Sequence, residues 1–320
     1  MLTRGMALYV SHRLALILFT AVAVSSLVFL GVHRIPGDAL LNERHPDPAR
    51  VAALLHYYKL DLPLFDQYRI FVGNLVFHGD LGESMVYRGT KLTPLLLREA
   101  SVSGEVGLLA LVFTVGLGIM LGVFAAIRQN TWVDYLLSTI SVIGYSIPNF
   151  VLATIGVLVF SKYLFIWTSG AVYVPEGWTG TYGLLSQLPV PAFALGFPYA
   201  SIVARLTRAS MLEVIRQDYV RTARAKGLPG PVVVVRHALR NALLPVITIL
   251  GPLSVGILTG GVVIENIFNI PGLGKEFVSS IISRDYNVVI GVFTVYAILI
   301  GVANLAVDLL YAVIDPRIRY

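Results

Sequence analysis

The sequence contains no cysteine, and only 13% of its 320 residues are charged. The lack of cysteine excludes a disulfide framework, a thiol nucleophile and a cysteine-based metal site. With 56% hydrophobic residues and a mean hydropathy of +0.78, the chain also has too little polar surface for a soluble globule. The composition therefore predicts an integral membrane protein.

Motifs for nucleotide binding and covalent chemistry are missing as well. No Gly-x-x-x-x-Gly-Lys-Ser/Thr loop occurs, and the glycines before Lys275 lack its spacing. There is no His-Glu-x-x-His zinc motif and no Gly-x-Ser-x-Gly nucleophile elbow. We therefore expect no catalysis, no cofactor and no metal in this chain itself. Four histidines that follow no metal-ligand spacing lie between the first and second apolar runs: His33, His45, His56 and His78.

Six apolar runs approach or exceed the length of about 20 residues that a membrane-spanning helix requires. They predict an all-α integral membrane fold with six transmembrane helices. The first run follows Arg13 and has no small-x-small cleavage site after it, so we expect an uncleaved anchor. The runs lie near Leu14–Val32, Val102–Ala126, Tyr135–Phe165, Leu188–Val203, Leu243–Val263 and Val288–Ile314.

Basic residues are concentrated between the fourth and fifth runs. Residues 205–240 carry eight Lys or Arg and two acids, an excess equal to the whole net charge of +6. Because basic loops stay on the cytoplasmic side, we expect this loop, and with six spans both termini, in the cytoplasm. Basicity confined to one membrane face also argues against nucleic acid as a partner.

The segment from His33 to Arg98 is polar, with eight basic and seven acidic residues among its 66. Helices are predicted at Ala49–Lys59 and Asp66–Phe77, between prolines and glycines. Because long translocated segments escape the charge rule, we expect a small extracytoplasmic domain at 33–98. Residues 1–32 would then form a short cytoplasmic segment and the first helix, and residues 99–320 a core of five helices.

Small residues and prolines inside the runs indicate how the helices pack. The patterns Gly118-x-x-x-Gly122 and Gly256-x-x-x-Gly260 predict faces at which helices approach closely. Pro148, within the third run, predicts a kink of the kind that a helix bundle tolerates.

Two carboxylates lie inside predicted spans, Glu105 in the second and Asp308 in the sixth. Charged residues in membrane helices are functional candidates, so both are candidates for lining a transport pathway. Each also lies within about two helical turns of a membrane end, where it can reach water or an arginine. A structural role is therefore the alternative for both.

Residues 211–245, between the fourth and fifth runs, are the most informative stretch. The first half is predicted to be a short helix with Val220, Ala223 and Gly227 on one small, apolar face. The Gly-Leu-Pro-Gly sequence that begins at Gly227 should end this helix. Such a face would let another protein approach the backbone closely, whereas the alternative is an ordinary basic anchoring loop.

This stretch resembles the EAA loop of bacterial ABC importer permeases, and more narrowly the loop of the dipeptide/oligopeptide/nickel branch. The resemblance rests on Asp218-Tyr-Val-Arg-Thr-Ala-Arg-Ala-Lys-Gly227 and Arg236-His-Ala-Leu-Arg-Asn-Ala-Leu-Leu-Pro245. Arg221 and Thr222 stand where the general pattern has a Glu and an Ala. Arg240 stands where that pattern has a proline. The resemblance implies a helix that docks on a cytoplasmic ATPase through Asp218, Tyr219, Val220, Arg221, Thr222, Ala223, Arg224, Ala225, Lys226 and Gly227.

Two further stretches are similar to the same family. Glu265 to Gly274 resembles its ETVFS-x-PGLG segment, with Asn266 and Asn269 as substitutions, and Asn304 to Arg319 resembles its closing signature. The resemblance implies a type I importer permease that moves di- and oligopeptides across a bacterial or archaeal cytoplasmic membrane by alternating access. The implied partners are a second homologous permease subunit, two ATPases that bind ATP and Mg, and an extracytoplasmic substrate-binding protein.

Other functions remain open at this point. Within the same family the cargo would instead be nickel, heme, a sugar or another small solute. An ion-coupled secondary transporter would need ionisable pairs at mid-membrane or an internal repeat, and the sequence shows neither. A membrane scaffold without transport activity would copurify with no ATPase.

Overall fold

The computed structural model describes residues 4–35, 48–159 and 188–314. Helices and the turns between them make up these ranges, with one isolated antiparallel bridge between Glu83 and Lys91. The prediction of an all-α membrane fold is thereby confirmed.

Thirteen α-helices and one π-helical segment are assigned within the described ranges. Two parts of this order were not predicted: the helix Leu273–Ser283, whose start after a Pro-Gly turn reads as a loop, and the helical stretch over residues 230–242. In that stretch the π-helical segment, Val233–Leu239, joins the short helices Gly230–Val232 and Arg240–Ala242. The α-helices are α1 (Arg4–Val32), α2 (Pro48–Tyr57), α3 (Leu64–His78), α4 (Leu92–Ile127), α5 (Trp132–Ser146), α6 (Asn149–Val157), α7 (Pro189–Ile215), α8 (Asp218–Ala225), α9 (Gly230–Val232), α10 (Arg240–Ala242), α11 (Leu244–Ile267), α12 (Leu273–Ser283) and α13 (Tyr286–Ile314).

Five of the described helices, α1, α4, α7, α11 and α13, are long and apolar enough to cross a membrane. The third predicted span is instead two helices, α5 and α6, bent by 97°. Pro148 explains the break, because its ring disfavours helical backbone at Ile147, which is extended with ψ 122°. The bend is therefore sharper than the predicted kink. The end of that predicted run, at Phe165, lies outside the described residues.

The chain forms two compact units, Met1–Ser103 with Pro271–Tyr320, and Gly104–Ile270. In the second unit, α4 packs closely on α7. A Cβ added to Gly118 would lie 2.6 Å from Val203 Cβ, and one added to Gly122 would lie 2.5 Å from the Ala204 carbonyl oxygen. The close approach predicted for this glycine pair is confirmed.

We expect Gly122→Ala to destabilise this packing by about 1–3 kcal/mol, because an added methyl group has no room against the backbone of α7. Gly116 lies on the same helix, and a Cβ there would meet nothing within 4 Å. Gly116→Ala is therefore the matched control and should leave stability unchanged or slightly raised. Thermal unfolding of the two purified variants in detergent compares them, and equal melting temperatures would contradict the assignment.

In the first unit, α1 and α13 pack against each other. A Cβ on Gly301 would lie 2.7 Å from Ile17 Cγ1. Nearer the C-terminal end of α1, the hydroxyls of Ser25 and Thr294 form a buried hydrogen bond of 2.6 Å. These contacts leave little room for larger side chains where α1 and α13 meet.

The two helices predicted for the segment after α1 are present, α2 and α3, with ends within two residues of the predicted ones. The hydroxyl of Tyr68, on α3, hydrogen-bonds Ser26 of α1 at 2.8 Å, and Phe71 stacks on Phe29 with centroids 5.6 Å apart. Helix α3 thus packs against the last turns of α1. Its extracytoplasmic placement stays a prediction.

Candidate coupling site and membrane charges

Helix α8 occupies the position predicted for the short loop helix, and its end follows from the residues there. Gly227 has a φ of +78°, in the left-handed region that favours glycine. Its amide donates to Arg224 O at 2.9 Å, and the Leu228 amide donates to Ala223 O at 3.4 Å. This pair of bonds is the Schellman motif that commonly ends a helix.

Two of the three residues on the face of α8 predicted to meet another protein are buried inside this chain. Val220 and Ala223 are 0% and 4% exposed, and they form a cluster with Val233 and Val214. Val220 and Ala223 therefore pack inside the chain, Gly227 is exposed, and a docking role for α8 stays a prediction. The few apolar residues of a polar helix are the ones that the chain itself can bury most favourably, and Gly227 serves backbone conformation instead.

The surface that α8 exposes is basic and includes small residues. In the surrounding loop Arg216, Arg236 and Arg240 are exposed as well. The side chains of Arg221 and Asp218 are 72% and 98% exposed, and their 3.8 Å ion pair contributes little stability. The exposed residues of the predicted coupling sequence are Asp218, Tyr219, Arg221, Thr222, Arg224, Ala225, Lys226 and Gly227.

Helix α8 is tied to the helical elements on both sides of it. Asn241 Nδ2, in α10, donates to the Tyr219 hydroxyl at 2.7 Å. Val233 belongs to the π-helical segment and Val214 to the last turn of α7, so the buried cluster joins all three. Helix α8 is therefore in contact both with α7 and with the stretch that leads into α11.

A partly buried ion pair that sequence reasoning missed joins α5 to α7 in the second unit. Arg208 of α7 donates from Nε to Asp134 Oδ1 at 2.6 Å and from Nη2 to Oδ2 at 2.7 Å. Asp134, whose side chain is 3% exposed, also accepts from the Asn130 amide and the Ser138 hydroxyl. This is a bidentate carboxylate–guanidinium pair with its remaining acceptor sites filled.

The signal for this pair was present in the sequence but ambiguous. Asp134 directly precedes the third predicted run, and Arg208 falls among the charges counted for the basic loop. An acid at the start of an apolar helix and an arginine near the end of another are suggestive, but the two are 74 residues apart.

The two carboxylates predicted within spans differ in their surroundings. Arg13 Nη2 lies 2.7 Å from Asp308 Oδ2, and the Tyr9 hydroxyl donates to the same oxygen at 2.9 Å. Asp308 thus joins α13 to α1, which favours the structural alternative. Glu105 is half-buried and has no ion pair or hydrogen bond from its side chain within the described ranges, so it stays the stronger pathway candidate.

Two of the described histidines, His33 and His56, make ordinary polar contacts. His56 Nδ1 lies 2.9 Å from Asp61 Oδ2, and this hydrogen bond holds the pKa of the Asp61 carboxyl below its ordinary value. His33 Nδ1 donates to the Phe29 carbonyl at 2.7 Å. Across the described residues, no group of three His, Cys, Asp or Glu is placed to hold a metal ion. His45 lies outside them.

The sequence matches a known family and several curated proteins. Residues 118–320 match the model of the binding-protein-dependent transport system inner membrane component. The chain is also 42% identical to the dipeptide transport system permease protein DppB of Bacillus subtilis, over 98% of each chain. The chain belongs to this family of transport-system membrane components. This permease thus has a sequence-level counterpart for nearly its whole length.

Two other relatives support the same assignment. The permease is 37% identical to the DppB protein of Lactococcus lactis, over 98% of this chain and 100% of the relative. It is 39% identical to the oligopeptide transport system permease protein OppB of Escherichia coli, over 95% of each. One solved chain, from the crystal structure of an amino acid ABC transporter with histidines, matches at 16% identity and a TM-score of 0.47, over 71% of this chain and 95% of that one.

Proposed function

We propose that this permease is the membrane subunit of an ATP-binding-cassette importer that carries di- and oligopeptides by alternating access. The observation that carries the proposal is the similarity, over 95% or more of the chain, to permeases of dipeptide and oligopeptide transport. Nickel, heme or another small solute is the alternative cargo, and an ion-coupled transporter is the alternative mechanism. The peptide cargo is favoured because the similar permeases from three organisms all belong to dipeptide or oligopeptide transport systems.

The partners follow from the family description and the surface of α8. A binding-protein-dependent system needs an extracytoplasmic binding protein to deliver its substrate. Of two ATPase subunits that hold ATP and Mg, one would dock on the exposed face of α8. The other would dock on the corresponding helix of a second homologous permease, which would complete the pathway. The exposed basic residues around α8 suit contact with acidic groups on an ATPase surface.

The contacts of α8 support a physical route for coupling. When ATP draws the two ATPases together, each would move the helix docked on it. Because the Val220–Ala223 cluster and the Asn241–Tyr219 hydrogen bond hold α8, the movement would carry α7 and the start of α11 with it. Moving these helices would turn the pathway outward, and hydrolysis would return it.

Cells that lack this gene should lose growth on a dipeptide supplied as the sole source of a required amino acid. The reason is that the peptide could no longer be brought across the cytoplasmic membrane. The control is growth on the free amino acid, which should be unchanged. Normal growth on the dipeptide, together with loss of a nickel-dependent activity, would favour the alternative cargo.

We also propose that both termini and α8 lie in the cytoplasm and that the segment containing α2 and α3 lies outside. The chain has no cysteine, so single cysteines can be introduced without background. His78→Cys and Gln217→Cys, both at exposed positions, should react with an impermeant maleimide from opposite sides of the membrane. Labelling of both from outside intact cells would overturn the orientation.

A further inference from the structure

A cavity of about 120 Å³ lies in the first unit, between the last turn of α1, the α2–α3 segment and the start of α13. Its size is of the order of an engineered cavity that holds a benzene molecule. Aromatic rings, among them Phe71 and Tyr58, form part of the wall. The polar residues that line it are His33, Lys59, Gln67, Asn74, Asp80 and Asn287.

The hydrogen bonds of these side chains leave the cavity rich in acceptors. Both hydrogen-bond donors of the Gln67 amide go to backbone carbonyls, of Leu60 and Leu62, which leaves its oxygen. The Asn287 amide donates to the Glu83 carbonyl, which likewise leaves an oxygen. Each residue thus presents an acceptor that no donor among the described residues satisfies.

Asp80 and His33 each supply one more hydrogen-bond acceptor. Asp80 Oδ1 accepts from the Gly82 amide at 2.9 Å, so the carboxylate keeps Oδ2. Because His33 Nδ1 donates to the Phe29 carbonyl, the neutral ring keeps Nε2 as an acceptor. Four acceptors, one of them anionic, suit a group with several N–H donors and a positive charge, which is a primary ammonium.

Lys59 supplies the positive charge. Its backbone adopts a left-handed conformation that glycine would adopt at a lower energetic cost. It has a φ of +59°, at the position after α2 where its amide donates to His56 O and the Leu60 amide to Leu55 O. Glycine is the usual residue at such a left-handed helix end. The lysine therefore keeps a side chain at a conformational cost, and its ammonium makes no ion pair within the described ranges.

We propose that this cavity binds a zwitterion through its primary ammonium, held by Asp80, Gln67, Asn287 and His33, and its anionic group, held by Lys59. Amino acids and peptides carry this chemistry, with a carboxylate, and so does the phosphatidylethanolamine headgroup, with a phosphate. The site does not depend on the proposed transport function, since binding needs neither ATP nor a binding protein.

The test measures equilibrium binding of small probes to the purified full-length protein with its accompanying subunits. Phosphoethanolamine is compared with phosphocholine, and L-alanyl-L-alanine with its N-acetyl derivative, because each control lacks the N–H donors of a primary ammonium. At least one ammonium probe should bind about tenfold more tightly than its control. A preference in the first pair alone identifies a lipid headgroup, in the second alone a peptide, and in both a general zwitterion site.

Two variants connect the binding to the cavity. Asp80→Asn keeps an acceptor for the Gly82 amide but loses the charge, and should weaken binding about tenfold. Lys59→Gly should also weaken binding, while its melting temperature stays equal or rises because the left-handed strain is relieved. Arg69→Gln, an exposed position that does not line the cavity, should change nothing.

Three results would overturn the proposal. The first is that neither probe binds, and the second is that each control binds as well as its ammonium partner. The third is that affinity survives either Asp80→Asn or Lys59→Gly undiminished. In the last case, a fall in melting temperature for Lys59→Gly would assign the lysine a purely structural role.

Discussion

Asp134→Ala is expected to lower the free energy of unfolding by about 1.5–3 kcal/mol, the range typical of hydrogen bonds to a charged group. The substitution would leave the Arg208 guanidinium, 31% exposed in the intact pair, without its carboxylate. The Asn130 amide and the Ser138 hydroxyl would lose their acceptor at the same time. The loss of stability is measured by thermal unfolding in detergent, with limited proteolysis as the readout.

Two controls separate the charge pair from general damage. The double variant Asp134→Leu with Arg208→Met replaces both charges by apolar groups, and should recover much of the stability because no charge is left unpaired. Asp218→Ala breaks the exposed pair with Arg221 and should change stability by no more than about 0.5 kcal/mol. A wild-type melting temperature for Asp134→Ala would show that the pair contributes nothing.

Ala225→Leu is expected to lower substrate-stimulated ATP hydrolysis by tenfold or more without changing the melting temperature. Ala225 is exposed, and leucine is a good helix former, so the fold should tolerate it. A closely packed docking groove should not, because overpacking typically costs about 1–3 kcal/mol, and 1.4 kcal/mol is a factor of ten in docking.

Ala223→Leu provides the contrast on the same helix. Ala223 packs inside the chain with Val220 and Val233, so Ala223→Leu should lower the melting temperature, unlike Ala225→Leu. Ala225→Ser, which keeps the side chain small, should hydrolyse ATP normally. Wild-type hydrolysis in Ala225→Leu, with the ATPase still bound, would remove the docking role from this face.

The C-terminal end of α8 could be predicted from its residues, but the packing of its apolar face could not. The glycine and proline after Lys226 specify where the helix stops, because backbone conformation is a local property. Whether Val220 and Ala223 pack inside the chain or against a partner depends on Val233 and Val214, which local sequence does not place. The pattern predicted the apolar face, but not the residues of the same chain that cover Val220 and Ala223.

The same limit explains the other differences. Pro148 indicated a kink, yet the 97° bend depends on how α5 and α6 pack around it. The partner of Asp134 is 74 residues away, and those that surround Lys59 come from three separate parts of the chain. Apolar periodicity predicts helices reliably, whereas charged partners depend on tertiary contacts.

The most direct test of the account is uptake of a labelled dipeptide into liposomes that contain the purified importer. The predicted result is uptake that requires ATP, Mg and the loaded binding protein, and that falls sharply in Ala225→Leu. An imposed proton or sodium gradient without ATP should drive none. Uptake driven by such a gradient, or a permease that copurifies with no ATPase and still transports, would contradict the account.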